Sequence, residues 1–61
     1  LPAQLGAAEV DAAIAAAIET SGAASIKDMG QVMAHLKANH AGQMDFSAAS
    51  QAVKSALMAK G

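Results

Sequence analysis

The 61-residue sequence contains no cysteine and no arginine, and its four lysines face five carboxylates, for a formal net charge of −1. The absence of cysteine excludes disulfides and thiolate metal sites, two devices that often stabilise domains of this size. A dedicated nucleic-acid-binding domain normally carries a basic patch, and this charge balance argues against one. Helix packing must therefore hold the fold together without covalent or metal support.

Long hydrophobic runs are also missing. Glu9, Asp11 and Glu19 interrupt the most apolar stretch, so no segment reaches the ~18 apolar residues of a membrane span. We therefore expect a soluble protein that does not contact a membrane. The chain begins with Leu1, neither an initiator methionine nor the basic start of a signal peptide, and we interpret residues 1–61 as one domain excised from a longer protein.

Alanine is what the sequence has in abundance. Eighteen residues are alanine, and fifteen more are larger apolar side chains. So few large side chains predict a domain of marginal stability. They also leave no room beside the core for a substrate pocket of roughly 300 Å³ or more.

Three segments show the spacing of apolar residues that is typical of amphipathic helices. The predicted helices cover residues 7–21, 26–38 and 46–59. Gly6, Ser25 and Asp45 are the predicted N-caps of these helices. Because nothing alternates with the period of a β-strand, the predicted fold class is all-α, a small three-helix bundle with orthogonal or irregular packing.

Glycine and asparagine mark the predicted helix ends, because they tolerate the left-handed conformation. Gly22 should end the first helix, and either Asn39 or Gly42 should supply the left-handed residue after the second. Gly30 lies inside the second helix, where glycine costs about 1 kcal/mol relative to alanine. Since it borders the apolar stripe, we expect a neighbouring helix to approach it closely.

The large apolar residues on one face of each helix form the predicted core. These are Val10, Ile14, Ile18, Met29, Val32, Met33, Leu36, Phe46, Val53 and Leu57. The stripe of the second helix also contains Ile26 and is centred near Met29. Met58 points away from its stripe and is expected to be exposed, and residues 1–4 should form an extended lead-in because Pro2 follows Leu1.

Candidate catalytic and metal-binding groups are few and scattered. His35 and His40 are five residues apart, unlike the i, i+4 pairs of helical metal sites, so we predict no metal site. His35 should be solvated, and His40 should help to satisfy carbonyls at the helix end. The serines suit caps and polar faces rather than a nucleophile with its base. We predict no catalytic residues and no cofactor.

The four lysines are all the cations of the chain besides its histidines. Lys27 lies in the first turn of the second helix, where free backbone amides would add to its charge in holding a phosphate. Lys37 and Lys54 flank the apolar stripes of their helices and could lie near one another. As a charge pattern alone, solvated surface lysines are the more common arrangement, so both interpretations stay open.

Three stretches carry a resemblance to a known family. The first resembles the Lys-Asp-Met-Gly-x-Val-Met signature of the YqeY family: Lys27-Asp28-Met29-Gly30-Gln31-Val32-Met33. The second is similar to the Leu-Pro-x-Gln-Leu stretch that leads into the C-terminal domain of that family: Leu1-Pro2-Ala3-Gln4-Leu5. The third stands in the place of the family's Gly-Arg-Ala-Asp turn: Gly42-Gln43-Met44-Asp45. The structural signature thus comprises Asp28, Met29, Gly30, Val32, Met33, Gly42 and Asp45.

This resemblance implies a small helical domain at the C-terminus of a longer, cytoplasmic protein, preceded by another helical domain. It also implies a connection to RNA, because the C-terminal YqeY domain is related to the tail of the GatB subunit of tRNA-dependent amidotransferases, which contacts tRNA. The family is linked to carbon–nitrogen ligase activity with glutamine as amide donor. No catalytic group identified above supports that activity here, so we expect a non-catalytic accessory domain with tRNA as its partner.

The residues that would contact RNA on this interpretation are Lys27, Lys37, Lys54 and His40. Gln43 stands where the family commonly has arginine, which leaves few cations. Binding to RNA alone should therefore be weak and salt-sensitive. The alternative is a protein-interaction or dimerisation module, in which Ala12, Ala16 and Met58 pack against a partner subunit or the missing N-terminal helical domain.

Overall fold

A computed structural model describes residues 3–60 of the chain, so Leu1 and Pro2 of the predicted lead-in fall outside the described residues. Residues 3–60 form an all-α bundle with no β-strand, which confirms the predicted fold class. Its elements are α1 (Ala7–Ser21), a 3-10 turn (Ile26–Asp28), α2 (Met29–Asn39) and α3 (Phe46–Lys60). No helix within this part of the chain is long and apolar enough to cross a membrane.

The helices begin where the sequence provides acceptors for their free backbone amides. The Ser47 amide donates to Oδ1 of Asp45 at 2.9 Å, and the Gly6 amide donates to Oε1 of Glu9 at 2.9 Å. Ser25 precedes the 3-10 turn and accepts, through its carbonyl, the amide of Asp28 at 3.0 Å. The predicted N-caps Gly6 and Asp45 are therefore confirmed, whereas Ser25 caps the 3-10 turn, and α2 itself begins after Asp28 and not at residue 26.

The helix ends use the left-handed glycines that the sequence offers. Gly22 has φ 70°, and the amide of Ala23 returns to the Ile18 carbonyl at 3.2 Å. After α2 the left-handed residue is Gly42, with φ 73°, whereas Asn39 stays helical. Of the two alternatives for this turn, Gly42 is therefore correct.

The core lies where the three helices meet, and its centre comes from α2 and α3. Leu36, Leu57, Val32 and Val53 are the largest fully buried side chains. The predicted residues Ile14 and Ile18 are also buried, while the remaining members of the predicted core are half-buried and pack against it: Val10, Met29, Met33 and Phe46. Sequence periodicity thus identified the faces of all three helices that form the core.

The stripe of α2 is centred on Val32 and Leu36 rather than on Met29, which corrects the prediction. Ile26, expected on that stripe, is 42% exposed. The reason is that Ile26 lies in the 3-10 turn, which advances about 120° per residue instead of the 100° of an α-helix. The change of pitch rotates Ile26 away from the core.

Ala17 and Ala49 lie on the apolar faces expected for their helices and are buried, whereas two buried residues lie outside the predicted helices: Ala23 and Met44. The alanines allow close packing because they present only a methyl group. Met44 lies in the turn before α3, so no helical stripe could include it. The same turn also receives the N-terminal lead-in, because the Leu5 amide donates to the Gln43 carbonyl at 2.8 Å and Gln4 Nε2 to the Gly42 carbonyl at 2.7 Å.

The predicted close approach of a helix to Gly30 is wrong. Gly30 is exposed, and a Cβ atom built there would meet no heavy atom within 4 Å. Gly30 precedes the buried Val32 by two residues, about 200° around the helix, and so lies on the solvent side. The packing of the bundle therefore does not require glycine at this position.

Gly30→Ala should raise the free energy of unfolding by about 0.5–1 kcal/mol, because alanine restricts the unfolded chain and meets no neighbour in the fold. Gly22→Ala is the matched control and should lower it by about 1–2 kcal/mol, since alanine is strained in the left-handed region. Urea unfolding followed by circular dichroism measures both. Loss of stability in Gly30→Ala would contradict an open environment at this glycine.

Candidate nucleic-acid interface

The charged side chains of the helices are segregated by sign. The carboxylates within α-helices all lie on α1, which has no basic residue: Glu9, Asp11 and Glu19. The lysines within α-helices all lie on α2 and α3, which have no acidic residue: Lys37, Lys54 and Lys60. A chain of net charge −1 therefore carries helices of opposite charge, and a polyanion would be attracted to the α2 and α3 side.

A shallow hollow of about 190 Å³ lies between the 3-10 turn and the end of α3. Ser25, Ile26, Leu57 and Met58 line it, and the exposed fractions are 42% for Ile26 and 63% for Met58. The exposure of Met58 confirms the prediction. Because residues that precede α2 meet residues that end α3, these two helices run antiparallel beside each other. We call this feature the apolar hollow.

Two of the predicted lysines are close in sequence to residues that line the apolar hollow. Lys27 directly follows Ile26, and Lys54 lies four residues before Met58, one turn away on the same helix face. Both lysines are exposed. Lys37 is also exposed but lies in the last turn of α2, at the opposite end of that helix from Lys27. Two cations thus lie within one helical turn of residues that line the hollow, and the third lies near the turn between α2 and α3.

His40 belongs to that turn and ends α2. Its amide donates to the Leu36 carbonyl at 2.8 Å, and its ring Nδ1 lies 3.1 Å from Oε1 of Gln43. An Nδ1–H tautomer would donate this bond and leave Nε2 available to a ligand. Gln43, in the place where the resemblance implies arginine, thus fixes the turn. The predicted solvation of His35 is wrong in part: it is half-buried, because both α1 and α3 pack against α2.

Asp28 has a structural role at the start of α2. Its Oδ2 accepts the amides of Ala24 at 3.0 Å and Ser25 at 3.3 Å. These two hydrogen bonds, assisted by the charge of Lys27, lower the pKa of Asp28 below its ordinary value. The carboxylate thereby holds the link between α1 and α2 and sets the position of Lys27.

The carboxylates of residues 3–60 do not form a metal site, since no group of three potential ligands comes together within that range. Three of them are instead engaged with backbone amides: Glu9, Asp28 and Asp45. The apolar hollow was not predicted, because Ile26 was expected on the apolar stripe of the second helix. Sequence reasoning also missed an apolar groove between α1 and α3, although the i, i+4 spacing of Ala52 and Ala56 is a signal for a smooth helix face.

A family model described as Yqey-like protein matches residues 1–57 of the chain. The match includes α1, α2, the Lys27–Met33 run and most of α3. No curated protein and no solved structure matches the chain.

Asp28→Asn should lower the Tm at neutral pH, because the ionised carboxylate is the better acceptor for the two amides. The pKa of Asp28 is lower in the folded state than in the unfolded state, where it is about 4. The stabilisation by the ionised carboxylate is therefore complete above the unfolded pKa and is lost as the pH falls through the folded-state pKa. The Tm difference between the two proteins should therefore be constant from about pH 5 to 7 and vanish in acid.

Asp11→Asn is the matched control, because Asp11 holds no backbone amide among the described residues and its substitution should leave the Tm nearly unchanged. Thermal melts at a series of pH values measure both variants. A Tm difference for Asp28→Asn that persisted unchanged into acid would show that the charge of Asp28 has no part in the stability.

Proposed function

Because this chain belongs to the YqeY-like family, we propose that it is an accessory tRNA-binding domain. The single observation that carries the proposal is the position of the lysines relative to the charges of the fold. Lys27 and Lys54 lie within one turn of residues that line the apolar hollow, Lys37 lies further along α2, and neither α2 nor α3 carries a carboxylate. Lys37 and Lys54 therefore have no acidic neighbour on their own α-helices, whereas Lys27 lies just before α2 beside Asp28.

In this proposal the lysines neutralise backbone phosphates, and the apolar hollow receives a ribose or base edge between them. Recognition of RNA commonly combines phosphate contacts with packing of exposed sugars and bases. His40 adds a hydrogen-bonding ring nitrogen near Lys37. The carboxylates of α1 repel phosphates and so favour one orientation of the domain on RNA. With about three phosphate contacts the affinity is weak, which suits a domain that assists a larger RNA-binding protein.

We further propose that the domain has no catalytic activity by itself. The carboxylates of Glu9, Asp28 and Asp45 are committed to backbone amides, which leaves them unsuited to acid–base work. Any carbon–nitrogen ligase chemistry of the kind linked to GatB-like proteins would then reside in other domains or subunits. A tRNA partner would place the protein in the cytoplasm.

A second candidate function is dimerisation, and the 63% exposure of Met58 favours it. Ala12 and Ala16 are exposed on α1 as well. If these residues form an interface, Ala12→Glu with Ala16→Glu will convert a dimer into a monomer in sedimentation. A chain that sediments as a monomer without these substitutions would rule out the dimer.

Replacing Lys27, Lys37 and Lys54 together by glutamine should weaken tRNA binding and reduce the slope of log Kd against log salt by about one for each phosphate that is no longer neutralised. The Tm should hardly change, because exposed lysines contribute little to stability. Met58→Gln should weaken binding without changing the slope, since it alters the apolar hollow but no charge. Fluorescence anisotropy with labelled tRNA at several salt concentrations measures these quantities.

Lys60→Gln is the position control for the lysine variants. Lys60 lines the groove between α1 and α3 rather than the apolar hollow, so its replacement should leave the salt slope unchanged. Unchanged tRNA affinity in the triple variant, or an equal loss in Lys60→Gln, would refute the proposed contacts.

A further inference from the structure

An open groove of about 430 Å³ runs between α1 and α3, apart from the lysines of the proposed RNA contacts. Ile14 and Ile18 contribute its apolar base and are 4% and 8% exposed. Ala52 and Ala56 form the α3 side, where their methyl groups leave space that larger side chains would fill. We call this feature the α1–α3 groove.

Charged residues lie at the edges of the α1–α3 groove. Asp11 and Glu19 are on its α1 edge, eight residues apart, which corresponds to about 12 Å along the helix. Both are exposed, and unlike Glu9 neither accepts a hydrogen bond from a backbone amide in the described part of the chain. Lys60 lies on the α3 edge. The groove thus offers two carboxylates on one edge and an ammonium group on the other.

We propose that the α1–α3 groove binds an amphipathic helix of another protein, with basic residues about seven or eight positions apart along one flank. The apolar base receives two successive turns of large side chains, as in other helix-in-groove complexes. The basic residues pair with Asp11 and Glu19, and an acidic residue on the other flank pairs with Lys60. Charge complementarity along both edges fixes the direction of the helix.

The charges argue against two other occupants, a second copy of this chain and RNA. A second copy of this chain cannot supply the basic flank, because α1 has no lysine, α2 has one, and the two lysines of α3 are six residues apart. That spacing corresponds to about 240° around the helix and puts them on different faces. RNA is disfavoured because Asp11 and Glu19 would repel its phosphates. A helix with a basic flank satisfies both edges.

The test uses a fluorescein-labelled helical peptide with leucine at i, i+4, i+7 and i+11, two lysines seven residues apart on one flank and a glutamate on the other. The peptide should bind the chain saturably in anisotropy measurements. Asp11→Asn with Glu19→Gln should weaken binding about threefold to tenfold, as expected for two ion pairs at a rim. Ala15→Gln, which places an amide in the groove, should weaken it about tenfold or more.

Matched variants separate the groove from general effects of charge and mutation. Ala16→Gln is the same change on the same helix, but Ala16 does not line the groove, so affinity should be unchanged. Gln31→Lys with Gln51→Lys raises the net charge by the same two units at exposed positions outside the groove and should not weaken binding. Circular dichroism melts check that each variant is folded. If Ala15→Gln does not fold, the binding measured for Asp11→Asn with Glu19→Gln tests the proposal instead.

Several outcomes would overturn the proposal. These are the absence of saturable binding at millimolar peptide, equal binding of a peptide with glutamates in place of the lysines, and equal weakening by Ala16→Gln. Displacement of the peptide by tRNA would assign the groove to RNA instead. Self-association of the chain that Ala15→Gln abolishes would assign it to a second copy.

Discussion

The fold depends on the burial of a small set of aliphatic side chains between α2 and α3, covered by Ile14 and Ile18 of α1. Four of them are fully buried: Val32, Leu36, Val53 and Leu57. The burial of each side chain stabilises the fold by about 1.5–3 kcal/mol. An alanine-rich chain has no other source of stabilisation of comparable size. Nearly every large apolar residue is therefore committed to the core, and functional contacts must use the surface.

Because the core takes up nearly all the large apolar side chains, the polar and charged groups lie at helix ends and on the surface. No polar or charged residue is buried within residues 3–60, so the interior contains no reactive or ligand-binding group there. Glu9, Asp28 and Asp45 cap helix starts and hold the links between helices. The remaining charges divide between an acidic α1 and basic α2 and α3, which gives the domain two sides suited to partners of opposite charge.

The sequence predicted what is determined locally, and it failed where the relation between elements matters. Gly22 and Asp45 mark helix ends through their own backbone and side-chain chemistry, so both were predictable. The open environment of Gly30 was not predicted, because the buried face of α2 is centred on Val32 and Leu36 and not on Met29, so Gly30 lies on the solvent side. The apolar hollow was also unpredictable, since it needs Ile26 rotated by a 3-10 turn and brought to Met58 by the return of α3.

The central claim is that RNA meets the side of the domain that carries Lys27 and Lys54, leaving the acidic α1 free. The most direct measurement is an NMR titration of the ¹⁵N-labelled chain with tRNA, in which amide shifts identify the contacted residues. We expect the largest changes at residues 25–27, 37–40 and 54–58, with residues 11–19 of α1 unaffected. Changes concentrated on residues 11–19, or spread evenly over the three helices, would contradict it.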